Sequence, residues 1–169
     1  MIQKKVCMVG LFGTGKTSLV QRFVHSRFSD RYLSTVGVKI DRKPVALGGG
    51  EITLVLWDLA GRDGREDITA SYLRGAHGVL YVADGTRRET YEQLDELRTI
   101  VRDAAGEVPS VLALNKSDLE SEWTLSSADE KALASKGVVL RTSARSGDGV
   151  ESLFQQLAAD MLRAGEVRP

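Results

Sequence analysis

Apolar and polar positions follow two periods along this chain, and the switches between them mark out its elements. Val6-Cys7-Met8-Val9 is a short unbroken apolar run that predicts a buried strand. Leu19, Val20, Phe23 and Val24 then recur at helical spacing. Val36–Leu47 and Ile52–Trp57 read as two strands joined by a Gly48-Gly49-Gly50 hairpin turn. A helix is predicted over about Arg65–Arg74, and a buried strand over Gly78–Ala83 ends at Asp84. Thr86-Arg-Arg-Glu89 fits a capping box, and Tyr91, Leu94, Leu97 and Val101 carry a helical stripe beyond it. Gly106 and Pro109 break that helix from the next strand, Ser110–Leu114. Ser127-Ala-Asp-Glu130 fits a second capping box opening a short helix, and Val138–Leu140 is a short strand. Val150, Leu153, Phe154, Leu157 and Met161 give a last helix one apolar face.

Strands alternating with helices predict an α/β fold, a mostly parallel sheet covered on both faces. No repeat, low-complexity run or linker divides the chain, so residues 1–169 are expected to form one domain. In such sheets ligands sit beyond the C-terminal ends of the strands. The loop after Val9, Asp58, Asn115 and Ser143 each follow directly after a predicted strand. That shared location weighs more than any one of them.

Composition narrows the function classes. Lys plus Arg (23) equals Asp plus Glu (23), so nothing pulls the chain as a whole toward nucleic acid or anionic membrane. Cys7 is the only cysteine, which excludes an internal disulfide and a zinc cluster and reads as core packing. His25 and His77 stand beside no nucleophile or cysteine pair, and Trp57 and Trp123 read as packing. With no signal peptide, no long apolar run and no C-a-a-X box at Gly165–Pro169, a soluble, cytoplasmic, monomeric protein without a direct membrane anchor is expected.

Three motifs carry chemistry. Gly10-Leu-Phe-Gly-Thr-Gly-Lys-Thr17 fits the phosphate-loop pattern G-x-x-x-x-G-K-[ST], between a strand and a helix as that motif requires. Gly10, Gly13 and Gly15 let the backbone turn its N–H groups toward an anion, where the helix N-terminus adds partial positive charge. Lys16 would reach the β- and γ-phosphates and the Thr17 hydroxyl would bind Mg²⁺; Thr14 and Ser18 join the same set of contacts. The plainer alternative is a glycine-rich turn with a chance lysine. Alone, the loop specifies only a nucleoside triphosphate.

Asp58 ends a buried strand and Gly61 follows three residues later. An acid there is a Mg²⁺ partner in phosphate-loop proteins, and the Gly61 N–H would approach a γ-phosphate. The alternative is a carboxylate capping a strand end. Asn115-Lys116-Ser117-Asp118 selects the base: a carboxylate accepts side by side from guanine N1–H and N2–H₂, a pair that adenine lacks. Asn115 would bond the ring's other edge, the Lys116 stem would lie over its face, and Ser143-Ala144-Arg145 would offer the Ala144 N–H to guanine O6. The alternative for these residues is a plain polar turn.

With these residues in view, the chain resembles the Ras superfamily of small GTPases, most closely its Rab branch. The resemblance covers essentially all 169 residues. It is carried by Gly10–Thr17, Tyr32-Leu-Ser-Thr35-Val-Gly37, Trp57-Asp58-Leu-Ala-Gly61, Ser71-Tyr72-Leu-Arg-Gly-Ala-His-Gly78, Asn115–Asp118 and Thr142-Ser-Ala144. It implies a single phosphate-loop G domain with a mostly parallel, six-stranded sheet and helices on both faces, binding GTP or GDP with Mg²⁺. Thr35 matches the threonine that binds Mg²⁺ and senses the γ-phosphate, so the metal set is Thr17, Thr35 and Asp58. Phe28 matches an aromatic that packs on the guanine edge, and Tyr32 a tyrosine that covers the phosphates. The γ-phosphate and Mg²⁺ would hold two loops, Phe28–Gly37 and Asp58–Tyr72, and hydrolysis would release them. Effector, exchange-factor and activating proteins would read those loops. Ile40, Trp57 and Tyr72 match a Rab-type apolar patch, with Ile40 where an aromatic is more usual; core packing is the alternative.

Two departures touch catalysis, whose expected residues are Lys16, Thr35, Gly61 and Arg62. Arg62 stands where the family has a glutamine that orients the attacking water. A guanidinium has donors only, so it accepts no hydrogen bond from water, although it offers positive charge. Arg62 also reads as one member of a solvated charge run, Arg62–Asp67. Phe12 occupies a loop position where a small residue is common and would crowd an activating arginine. The first expectation is a GTP-binding switch that hydrolyses slowly; a GTP-binding scaffold without turnover is the alternative. A phosphate-loop kinase or ATPase is opposed by Asn115–Asp118.

Overall fold

A computed structural model describes residues 2–29, 37–59 and 70–166. The elements run β1 (Ile2–Val9), α1 (Lys16–His25), β2 (Val38–Leu47), β3 (Gly50–Leu59), α2 (Ala70–Leu73), β4 (Gly78–Asp84), α3 (Glu89–Glu92), α4 (Leu94–Ala105), β5 (Ser110–Asn115), α5 (Ser127–Ala134), β6 (Val138–Arg141) and α6 (Val150–Glu166). Six strands form one sheet in the order β2-β3-β1-β4-β5-β6. Among the described residues, the β2–β3 hairpin pairs antiparallel and the other four pairings are parallel.

Helices cover both faces, and β1 shows why its apolar run is unbroken. Successive strand residues point to opposite faces. Val6 and Met8 enter a core with Leu19, Phe23 and Phe154, from α1 and α6. Cys7 and Val9 enter the other, with Leu73, Tyr91, Leu94 and Leu97 from α2, α3 and α4. Phe23 and Phe154 stack at 3.9 Å between ring centroids, joining α1 to α6. Cys7 is fully buried, and burial pushes its thiol pKa up to about 11. This is a packing thiol, not a reactive one.

Several boundaries differ from the sequence expectation. β1 begins at Ile2 because Ile2–Met8 pair with Ile52–Asp58 of β3, so the polar Gln3–Lys5 join a strand through their backbone. The Tyr91–Val101 stripe divides at Gln93 into α3 and α4. Thr86–Glu89 makes no capping box: the Thr86 N–H and hydroxyl donate to Asp84, while Glu89 accepts from Arg87. The second box lies one residue earlier than expected. Ser126 caps α5, accepting from the Asp129 N–H at 3.1 Å while Asp129 accepts from the Ser126 N–H at 2.9 Å. Val36 and all of the Arg65–Arg74 helix before Ala70 lie outside the described residues.

The histidines and Trp123 sit in structural settings. His77 Nδ1 accepts from the Lys5 N–H at 2.9 Å, and His25 Nε2 lies 3.5 Å from Asp41. Trp123 packs on Gly85, where any Cβ would stand 2.0 Å from the indole, and Arg141 covers its ring at 4.8 Å. Among the described residues, no helix is long and apolar enough to cross a membrane.

Candidate functional site

The C-terminal ends of β1, β3, β4 and β5, with the loop after β6, converge on one edge of the sheet. The β1–α1 loop is shaped by close approach. A Cβ on Gly10 would stand 2.3 Å from the Val82 carbonyl oxygen. Gly15 has φ +101°, and a Cβ there would meet the Asn115 amide at 2.2 Å. Only glycine meets both demands at position 15. Thr14 closes the loop on itself, its hydroxyl donating to the Leu11 carbonyl at 3.0 Å.

Lys16 opens α1 and is 6% exposed. Its ammonium donates to the carbonyls of Gly10 and Leu11 at 3.3 and 3.1 Å. Burial lowers its pKa from 10.5 to about 8, opposed by the Asp58 carboxylate. The Thr17 hydroxyl donates to Asp58 Oδ2 at 2.6 Å, and Asp58 is fully buried at the end of β3. Two hard oxygen donors therefore meet beside the loop, a donor set that suits Mg²⁺ completed by phosphate oxygens and water. Ser18 follows on α1, half-buried.

At the other end, β5 delivers Asn115, which is 1% exposed. Its amide donates to the Thr14 carbonyl at 3.0 Å, and its oxygen accepts from the Thr142 hydroxyl at 3.1 Å and the Ala144 N–H at 3.3 Å. Asn115 thus braces two loops, and the Ala144 N–H expected to face guanine O6 points to Asn115 here. Lys116 has φ +68°, rare for a residue with a side chain, and donates to the Gly13 carbonyl at 3.0 Å. Asp118 Oδ1 accepts from the Ser143 hydroxyl at 2.8 Å. Arg22 of α1 donates to the carbonyls of Ala144 (2.8 Å) and Arg145, which ties α1 to this loop.

The structure thus brings together Gly13, Thr14, Gly15, Lys16, Thr17, Asp58, Asn115, Lys116, Asp118, Ser143, Ala144 and Arg145. Phe28 lies beyond α1 and is 36% exposed. Tyr32, Thr35, Gly61 and Arg62 lie outside the described residues. Ile40 and Trp57 are directly opposite on β2 and β3 and so share a face. Ile40 is 41% exposed, whereas Trp57 and Tyr72, with rings 6.3 Å apart, are half-buried and pack against the core. Phe12 is also exposed, and its carbonyl accepts from Arg87 at 3.0 Å.

Sequence reasoning missed two members of this edge. Thr142 is fully buried and serves Asn115. Asp84 is a fully buried carboxylate 2.9 Å from the Lys116 ammonium. Its signal was present: an acid ending an all-apolar strand run, the same signal that marked Asp58.

Residues 5–163 match the model of the Ras family. The Ras-related protein Rab-4A of Rattus norvegicus is 37% identical over 171 aligned positions, covering 98% of this chain and 78% of that protein. Rab-4A of Mus musculus and of Homo sapiens match at the same identity and coverage.

Proposed function

Because the chain belongs to the Ras family of GTP-binding switch GTPases, we propose that residues 1–169 form one G domain whose strand-end cluster holds GTP or GDP. The observation that carries this reading is the convergence of Lys16, Thr17 and Asp58 with Asn115, Lys116 and Asp118 on one sheet edge. The backbone of Gly13–Ser18 and the Lys16 ammonium take the phosphates. Asp118, oriented by the Ser143 hydroxyl, accepts from guanine N1–H and N2–H₂. Ser143, Ala144 and Arg145 border the base, Phe28 packs on its edge and Tyr32 covers the phosphates. Thr17, Thr35 and Asp58 would hold Mg²⁺, which neutralises phosphate charge when bound.

Turnover is slow in this reading. Arg62 replaces an acceptor-bearing glutamine with a donor-only guanidinium, so the attacking water loses the group that orients it. Gly61 offers its N–H to the γ-phosphate, and the loops over 28–37 and 58–72 order with it. The protein acts as a monomer, read there by effector, exchange-factor and activating proteins. The exposed Phe12 ring stands in the path of an arginine supplied by an activating protein. The same Arg62 favours a second reading, a GTP-bound scaffold that does not turn over.

Single-turnover GTP hydrolysis with Mg²⁺ on the wild type, Arg62→Gln and Arg62→Ala tests both. We expect Arg62→Gln to be faster by about tenfold or more, and Arg62→Ala to match the wild type. If both variants are slower, Arg62 is itself catalytic and the account of an impaired site is wrong. No measurable wild-type turnover selects the scaffold.

A further inference from the structure

Asp84 is a fully buried carboxylate to which the proposed chemistry gives no task. A buried charge persists only when paired and hydrogen-bonded. Its Oδ1 accepts from the Thr86 N–H and hydroxyl at 2.9 and 2.6 Å. Its backbone is fixed as well: the Asp84 N–H donates to the Thr90 hydroxyl at 2.8 Å. Oδ2 is left facing the Lys116 ammonium at 2.9 Å. That ammonium also donates to the Gly13 carbonyl at 3.0 Å. Lys116 holds a left-handed φ of +68°, which is strained for a residue with a Cβ. A long, flexible side chain is therefore held at both ends, by strained backbone and by a fixed ion pair.

We propose that Asp84 is a positioning residue for nucleotide retention: it pins the Lys116 ammonium against the Gly13 carbonyl, locking the base-selecting segment to the phosphate loop. The stem of Lys116, its side chain 35% exposed, then forms a fixed wall of the base site. This rests on the reading of residues 115–118 as the guanine site. Asp84 touches no nucleotide and sets how long one stays, not which base is chosen.

The test uses the full chain loaded with a fluorescent GDP analogue and Mg²⁺, chased with unlabelled GDP. Asp84→Asn keeps the shape and an acceptor for Thr86 but turns an amide donor toward the ammonium. We expect it to release nucleotide at least about tenfold faster than the wild type. Added to Lys116→Met, it should change release by less than about twofold, the usual error of additivity. Release within about twofold of the wild type, or equal acceleration in both backgrounds, overturns the proposal. A measurement without substitution stands beside it. In GDP-loaded wild type carrying ¹⁵N-lysine, the Lys116 ammonium resonance should persist in slow exchange with solvent, and its loss to fast exchange overturns the pairing. Asp118→Asn separates this from the underlying reading. If that variant binds GDP like the wild type, the guanine-site assignment itself fails.

Discussion

At the base end of the cluster, Asn115, Asp118 and Ser143 direct their polar atoms at one another and at loop backbone. At the phosphate end, Lys16 donates to the carbonyls of its own loop, and Thr17 donates to Asp58. The base end is thus a mutually hydrogen-bonded scaffold. On the proposed reading, the groups at the phosphate end would exchange these partners for phosphate oxygens and a cation. Burial lowers the Lys16 ammonium to about 8, against the opposing pull of the Asp58 carboxylate. On that reading, one end supplies geometry and the other supplies charge.

Four substitutions test that division. The largest effect is expected from Lys16→Ala, which should lower GDP affinity by about 100-fold or more in calorimetric titration, since hydrogen bonds to charged groups are the strong ones. If the loss is small, the phosphate end is not where charge is recognised. Asp118→Asn should cost about 10- to 100-fold in GTP affinity and erode the preference for guanine over xanthine nucleotides in competition binding, because an amide offers one acceptor where the carboxylate offers two. Thr17→Ala should raise the Mg²⁺ concentration needed for tight GDP binding by about tenfold, with Thr17→Ser restoring it. Smallest is Thr142→Val, which removes one of the two donors to Asn115 Oδ1 while keeping the shape. It should cost about 0.5–1.5 kcal/mol in urea denaturation, with a few-fold change in nucleotide affinity at most. A Thr142→Val effect on affinity larger than that of Thr17→Ala would reverse the comparison.

Much of this architecture was legible in the residues because its signals are local. Glycines and a lysine at fixed spacing, an acid ending a strand and an asparagine–aspartate pair after another each need only a few neighbours to be read. The strands were legible for the same reason, and the sheet and its two covered faces followed from their alternation with helices. What escaped depends on partners far along the chain. Nothing near Asp84 reveals that its carboxylate meets Lys116, and nothing near Gly85 reveals that Trp123 lies against it. The capping boxes failed differently. Ser126 and Ser127 are each followed three residues later by an acid, so spacing alone does not choose; extended backbone at Ser126 (ψ 168°) does. At Thr86, the nearer carboxylate of Asp84 captured the hydroxyl before any helix began.

The bond from Asn115 to the Thr14 carbonyl spans 101 residues of sequence. During synthesis at about 5–20 residues per second, the phosphate loop therefore waits about 5–20 seconds before its brace has even been polymerised. Contacts of this range also form late, because the entropy of closing so long a segment precedes any reward from contact. A nascent chain carrying Gly10–Thr17 alone would have the phosphate-loop motif without the bond that braces it.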